Sequence, residues 1–133
     1  MTLFIDASAL VAIITREPDA LALGARMKGA GQPLCSGLAA WETMAGLCRS
    51  YFLPPPAAGA RVRVFLDALG VRFVAIGPRE YEIAADAYAR FGKGRHRAAL
   101  NMGDCFAYAC ARTNDARLLF KGEDFAMTDI DAA

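Results

Sequence analysis

The chain has 133 residues, 56% of them hydrophobic and 22% charged, with a formal net charge of +1. That length suits one hydrophobic core, so residues 1–133 are read as a single domain, and the composition excludes an intrinsically disordered chain. A near-neutral total points to no particular partner, but a chain with more apolar side chains than its core needs buries the excess against a partner or a second copy, so a homodimer is expected.

Residues 2–5 are a short apolar run of strand formers ended by Asp6, the pattern of a buried strand at the centre of a sheet. Ser8 is placed to cap a helix carrying Leu10, Val11, Ile13 and Ile14, and Pro18 followed by Asp19 restarts a helix through about residue 28. Residues 34–36 read as a second strand, after which Ser36 or Gly37 opens a long helix that three successive prolines, Pro54, Pro55 and Pro56, bring to an end. On that helix Trp41, Met44, Ala45, Cys48, Tyr51 and Phe52 fall on one arc, with Glu42 and Arg49 at its edge. A helix over residues 57–69, a strand over 71–76 and a helix over 78–92 follow, then a basic glycine-containing loop. The helix from Asp104 to about residue 113 is apolar nearly all round, which marks it as deeply buried, and residues 118–120 form a fourth strand. Strands alternating with helices imply an α/β domain with a mostly parallel sheet covered on both faces.

Cys35, Cys48, Cys105 and Cys110 form no Cys-x-x-Cys pair, and His96 is the single histidine, which leaves little for a tetrahedral zinc site. The cysteines read as buried thiols of a cytosolic protein. The opening Met1 to Asp6 has no basic segment and carries a carboxylate too early for a signal peptide, and no apolar run approaches membrane-spanning length, so the expectation is a cytoplasmic protein with no membrane partner.

In an open parallel sheet, ligands collect outside the carboxyl ends of the strands, and Asp6 stands at that end of the first strand. Its place fits a ligand and a helix cap equally. Asp104, in the first turn of the most apolar helix, is hard to solvate and needs a cation, donors or a proton; the helix amino end alone is the plainer alternative. Asp124 again follows a strand, beyond Gly122, and Glu42 borders the apolar arc, where it can reach over the sheet edge or face solvent. If all four converge, their repulsion calls for a metal ion. Oxygen ligands alone point to magnesium or manganese, hence to phosphoryl chemistry, for which phosphodiester hydrolysis fits best. An aspartyl-phosphate enzyme wants a second aspartate two residues after the first, where Ser8 stands.

Several segments together resemble the VapC-type toxins of the PIN-domain superfamily. They are Ile5-Asp6-Ala7-Ser8-Ala9-Leu10, Trp41-Glu42, Leu100-Asn101-Met102-Gly103-Asp104-Cys105-Phe106-Ala107-Tyr108-Ala109, and Leu119-Phe120-Lys121-Gly122-Glu123-Asp124-Phe125 with Thr128-Asp129-Ile130. The resemblance spans the chain in the expected order, and its last two segments are the specific ones. It implies that Asp6, Glu42, Asp104 and Asp124 are the catalytic acidic quartet, with Asp6 and Asp104 as metal ligands and Ser8 and Thr128 supporting the site. It further implies a three-layer α/β/α fold, endoribonuclease activity with magnesium or manganese, homodimers, and neutralisation by a cognate VapB-like antitoxin. The excess apolar surface then reads as a groove for an amphipathic or extended antitoxin segment, able to bring an antitoxin arginine near the acidic pocket. Glu123 departs from the family, where Asp or Asn is usual, and reads as a solvated neighbour.

Lys93, Arg95, His96 and Arg97 precede the helix of Asp104, as phosphate contacts for an RNA substrate or as a solvated loop. His96 reads as a surface residue rather than a general base, and Trp41 and Tyr51 as core or partner surface rather than a base-stacking platform. Two rival functions are a small-molecule phosphohydrolase and a catalytically idle RNA-binding relative, the latter disfavoured by the presence of both Asp6 and Asp104.

Overall fold

A computed structural model describes residues 2–133. The elements run β1 (Leu3–Ile5), α1 (Ala7–Ile14), α2 (Ala20–Met27), β2 (Leu34–Cys35), α3 (Gly37–Tyr51), α4 (Pro55–Leu69), β3 (Arg72–Phe73), α5 (Pro78–Phe91), α6 (Met102–Thr113) and β4 (Arg117–Leu119), with a final 3-10 turn at Phe125–Met127. The four strands pair in parallel in the order β3-β2-β1-β4, with Phe4 opposite both Leu34 and Leu118. Helices on both faces complete three α/β/α layers.

The alternation of apolar strand and amphipathic helix explains this architecture. β1 is buried along its whole length because neighbours pair with it on each side and helices cover it, so Leu3, Phe4 and Ile5 need no polar face. Helix α6 lies on β1 and β4 and packs against α5, which accounts for the burial of Cys105, Ala107, Tyr108, Ala109, Cys110 and Ala111. The four cysteines are free thiols, as expected of a chain without a disulfide framework, with Cys48 only half-buried.

Several boundaries and one helix face differ from the sequence expectations. Asp6, not Ser8, is the N-cap of α1, because its carboxylate accepts from the Ser8 amide while Ser8 already lies within the helix. Helix α6 starts two residues early, at Met102, since Asn101 supplies the cap. The third strand shrinks to Arg72–Phe73, an exposed edge, and only Val74 beyond it turns inward. On α3 the buried face is Ala39, Thr43, Gly46 and Leu47, whereas Trp41 is 60% exposed and Phe52 88% exposed. Small side chains won that face because α1 comes close: a Cβ on Gly46 would meet Val11 Cγ2 at 3.3 Å. Met44, from the expected arc, instead faces α4 near Gly59.

Candidate active site

The carboxyl end of β1 delivers the chain directly into Asp6. Its amide donates to the Leu119 carbonyl of β4 at 2.9 Å, which fixes the backbone where the two central strands end. The carboxylate Oδ2 accepts from the Ser8 amide at 3.0 Å and from the Ser8 hydroxyl at 2.5 Å, and the residue is only 4% exposed. Ser8 Oγ also accepts from the Lys121 amide at 3.0 Å, so one hydroxyl joins the first carboxylate to the loop that leads to Asp124. Burial pushes the Asp6 carboxyl above its ordinary range, the Ser8 donors oppose that, and the charge of Asp124 adds to it.

Asp104 occupies the third position of α6 in a reciprocal capping box. Its Oδ2 accepts from the Asn101 amide at 3.0 Å, and Asn101 Oδ1 accepts from the Asp104 amide at 2.9 Å. Cap and acidic-site member are therefore compatible roles, since one carboxyl oxygen remains uncommitted. Burial pushes this carboxyl up to about 6, against the Asn101 hydrogen bond and with added repulsion from Asp6 and Asp124.

Glu42 stands on the second turn of α3, half-buried. Burial, then the charges of Asp6 and Asp104, push it up to about 7 against the charge of Arg49, and among the described residues no hydrogen bond stabilises its charged form. Asp124 follows β4 after Gly122, whose φ of +100° allows the chain to turn, and it begins the terminal 3-10 turn as an exposed residue. The four carboxylates thus come from the end of β1, α3, α6 and the segment after β4; the charges of Asp6 and Asp104 act on Glu42, and that of Asp124 acts on Asp6 and Asp104.

That mutual repulsion leaves a place for positive charge. The donors are all oxygens, the choice of hard cations, and Asp104 and Glu42 keep carboxyl oxygens unused by the protein. Among the described residues no group of three or more acidic, histidine or cysteine side chains is gathered closely enough to hold a metal ion. Magnesium asks for none, because it is held by one or two carboxylates and retains waters. A side chain on Gly103 would occupy the space that the Glu42 carboxylate fills.

The basic loop leads into the cap of α6. The Lys93 amide donates to the Leu100 carbonyl at 3.0 Å, which closes the loop one residue before the Asn101 cap. Lys93, Arg95 and Arg97 are exposed, and Arg95 lies over the Tyr88 ring at 5.3 Å. His96 is half-buried rather than on the surface: Nδ1 accepts from the Ala98 amide at 3.0 Å and the ring meets Phe91 edge-on. Thr128 donates to the Phe125 carbonyl at 2.7 Å and shapes the final turn instead of touching a carboxylate. Glu123 is exposed. Two features escaped the sequence reading, the tie from Tyr108 to Asp129 and the role of Gly103, since each depends on a neighbour distant in sequence.

The PIN domain family model matches residues 3–131. The chain is 43% identical over 129 residues to "Ribonuclease VapC" of Mycolicibacterium smegmatis, covering 96% of this chain and 97% of that one. It is 42% identical over 126 residues to "Ribonuclease VapC30" of Mycobacterium tuberculosis, covering 95% and 94% respectively. Its fold superposes with a TM-score of 0.75 on the crystal structure of Mycobacterium tuberculosis VapC20, a sarcin-ricin loop cleaving toxin, at 16% identity and 98% coverage of both chains. The chain therefore belongs to the PIN-domain family of VapC ribonucleases.

Proposed function

We propose that this chain is the toxin of a type II toxin–antitoxin pair, an endoribonuclease that hydrolyses RNA phosphodiester bonds with magnesium or manganese at Asp6, Glu42, Asp104 and Asp124. The observation that carries the reading is the elevation of the Asp6, Glu42 and Asp104 carboxyls, with Glu42 at about 7 and Asp104 at about 6, in a setting that offers only oxygen donors. Asp6 and Asp104 are the metal ligands, because both are anchored by hydrogen bonds from their own helix starts. A divalent ion bound there supplies the acidity that makes water a nucleophile and the charge that neutralises a phosphate. Asp124 extends the acidic edge towards solvent, where a substrate strand approaches. Glu42 completes the negative field beside Asp104. Lys93, Arg95 and Arg97, exposed next to the α6 amino end, contact RNA phosphates.

The apolar surface supports two protein partners. A groove of about 890 Å³ runs between α1, α3 and α4, lined by Ile13, Ile14, Leu47, Tyr51, Leu53 and Phe65. It suits an apolar segment of a VapB-like antitoxin. The α5–α6 face exposes Tyr81, Tyr88 and Met102 beside the acidic edge and suits a second copy, giving a homodimer. No helix among the described residues is long and apolar enough to cross a membrane, and we place the protein in the cytoplasm.

The test is incubation of the purified chain with a mixed RNA pool and with free phosphomonoesters, in magnesium or manganese and in chelator, beside Asp104→Asn. Metal-dependent RNA cuts that the variant lacks support the reading. Phosphomonoester hydrolysis with intact RNA favours a phosphatase, and inert wild-type protein that retains RNA favours the binding-module reading.

A further inference from the structure

We infer that Gly103 is a positioning residue of the acidic site, its missing side chain forming the seat in which the Glu42 carboxylate rests. This rests, for its functional consequence, on the ribonuclease reading above. Gly103 is buried in the first turn of α6, which meets α3. A Cβ built on it would stand within 2.5 Å of the Glu42 carboxyl carbon and of both carboxyl oxygens. Its backbone gives no other reason for glycine, because Gly103 is not among the positive-φ residues. An ordinary helical glycine is less stable there than alanine, since it loses more conformational freedom on folding. Space for Glu42 is the compensating reason.

Other crowded glycines differ in kind. Gly46 faces the Val11 side chain and Gly92 faces Tyr88, including its backbone carbonyl, so both serve packing. Of these three glycines, Gly103 alone meets a carboxylate of the site. That carboxylate is the free end of a flexible side chain, so alanine there leaves helix and core intact and moves Glu42 instead. Glu42 then leaves the side of Asp104, the residue next to its seat, and the site loses one of its negative charges.

Mn2+ titration calorimetry, RNA cleavage and thermal melting in chelator on the full chain test this with Gly103→Ala, Glu42→Ala and the double variant. A crystal structure of Gly103→Ala locates Glu42. The expected result is a Gly103→Ala protein that melts in chelator no lower than wild type, yet binds Mn2+ and cleaves RNA at least tenfold more weakly, close to Glu42→Ala. The double variant should be no worse than Glu42→Ala alone. Wild-type affinity and cleavage in Gly103→Ala, beside loss in Glu42→Ala, overturn the inference while sparing the ribonuclease reading. So does a double variant tenfold below Glu42→Ala. If wild type neither binds Mn2+ nor cuts RNA, the ribonuclease reading fails, and the crystal structure alone decides: a displaced Glu42 supports the seat and an unmoved one overturns it. Should Gly103→Ala not fold, the double variant must fold, because removing Glu42 empties the seat; failure of both overturns the inference.

Discussion

The Tyr108 hydroxyl donates to Asp129 at 2.6 Å and so ties α6 to the segment that follows Asp124. Arg90 and Arg112 reach the other carboxyl oxygen of Asp129 at 2.8 and 3.1 Å. Burial alone would raise this carboxyl, but the hydrogen bonds from Tyr108 and Arg90 and the two arginine charges hold it at about 2. Tyr108→Phe keeps the ring and removes two hydrogen bonds, the one donated to Asp129 and the one accepted from Arg112 at 3.1 Å, and should cost about 1 kcal/mol because Asp129 and Arg112 are partly exposed. Thermal melts should show a drop of roughly 3–5 °C for a chain of this size. A drop erased by high salt would assign the effect to the arginines instead.

Asp6→Asn and Asp104→Asn each retain an oxygen acceptor for the helix-cap hydrogen bond while removing a charge from the crowded edge. Both variants should fold, and in chelator both should melt above wild type, since repulsion at the cluster falls. Metal-dependent cleavage should fall on the order of 10²–10³-fold, the scale of losing one electrostatic contributor to a transition state. Full activity in either variant removes that residue from the metal site.

Much of this site was legible in the sequence because its parts are tied to strand ends and helix starts. Asp6 and Asp124 follow apolar runs, and Asp104 opens a helix whose lack of a polar face announces burial. Periodicity misread α3, where the bulky Trp41 and Phe52 drew the apolar arc but Ala39, Thr43 and Gly46 face the core. Side-chain size signals burial poorly where two helices approach closely, since close approach selects small residues. The sequence marks Ser8 as the cap of α1, whereas Asp6 takes that role and the Ser8 hydroxyl bridges Asp6 and Lys121, a contact 113 residues apart that no local pattern encodes.

That bridge makes Ser8→Ala informative. The variant keeps the Asp6 cap through the Ser8 amide but loses the hydroxyl donor to Asp6 and the acceptor for the Lys121 amide. With one donor gone, the buried Asp6 carboxyl should rise further and the loop leading to Asp124 should loosen. Losses of 10–100-fold in Mn2+ affinity are the usual scale for removing such a supporting contact. Calorimetry across pH checks the cause: raising pH should recover part of the affinity if the defect is protonation of Asp6, and none if it is displacement of the loop alone.

The elevated carboxyls also set the sign of the pH dependence of stability. Glu42, at about 7, and Asp104, at about 6, lie above their ordinary values of 4.5 and 3.8, so between about pH 4 and 7 the folded chain binds more protons than the unfolded one. Stability without metal must then fall as pH rises through that window. Asp129, held at about 2, acts the opposite way but only below about pH 4, where the unfolded aspartate protonates first. In chelator, therefore, the melting temperature should be higher at pH 5 than at pH 8, and should decline again on acidification below about pH 4. Saturating magnesium or manganese should raise it most at pH 8, because the cation replaces protons that are already absent there and relieves the same repulsion. Glu42→Gln should flatten the decline between pH 6 and 8. A chelated protein whose stability does not fall from pH 5 to pH 8 would show that these carboxyls titrate normally, and the electrostatic case for a cation at this edge would fall with them.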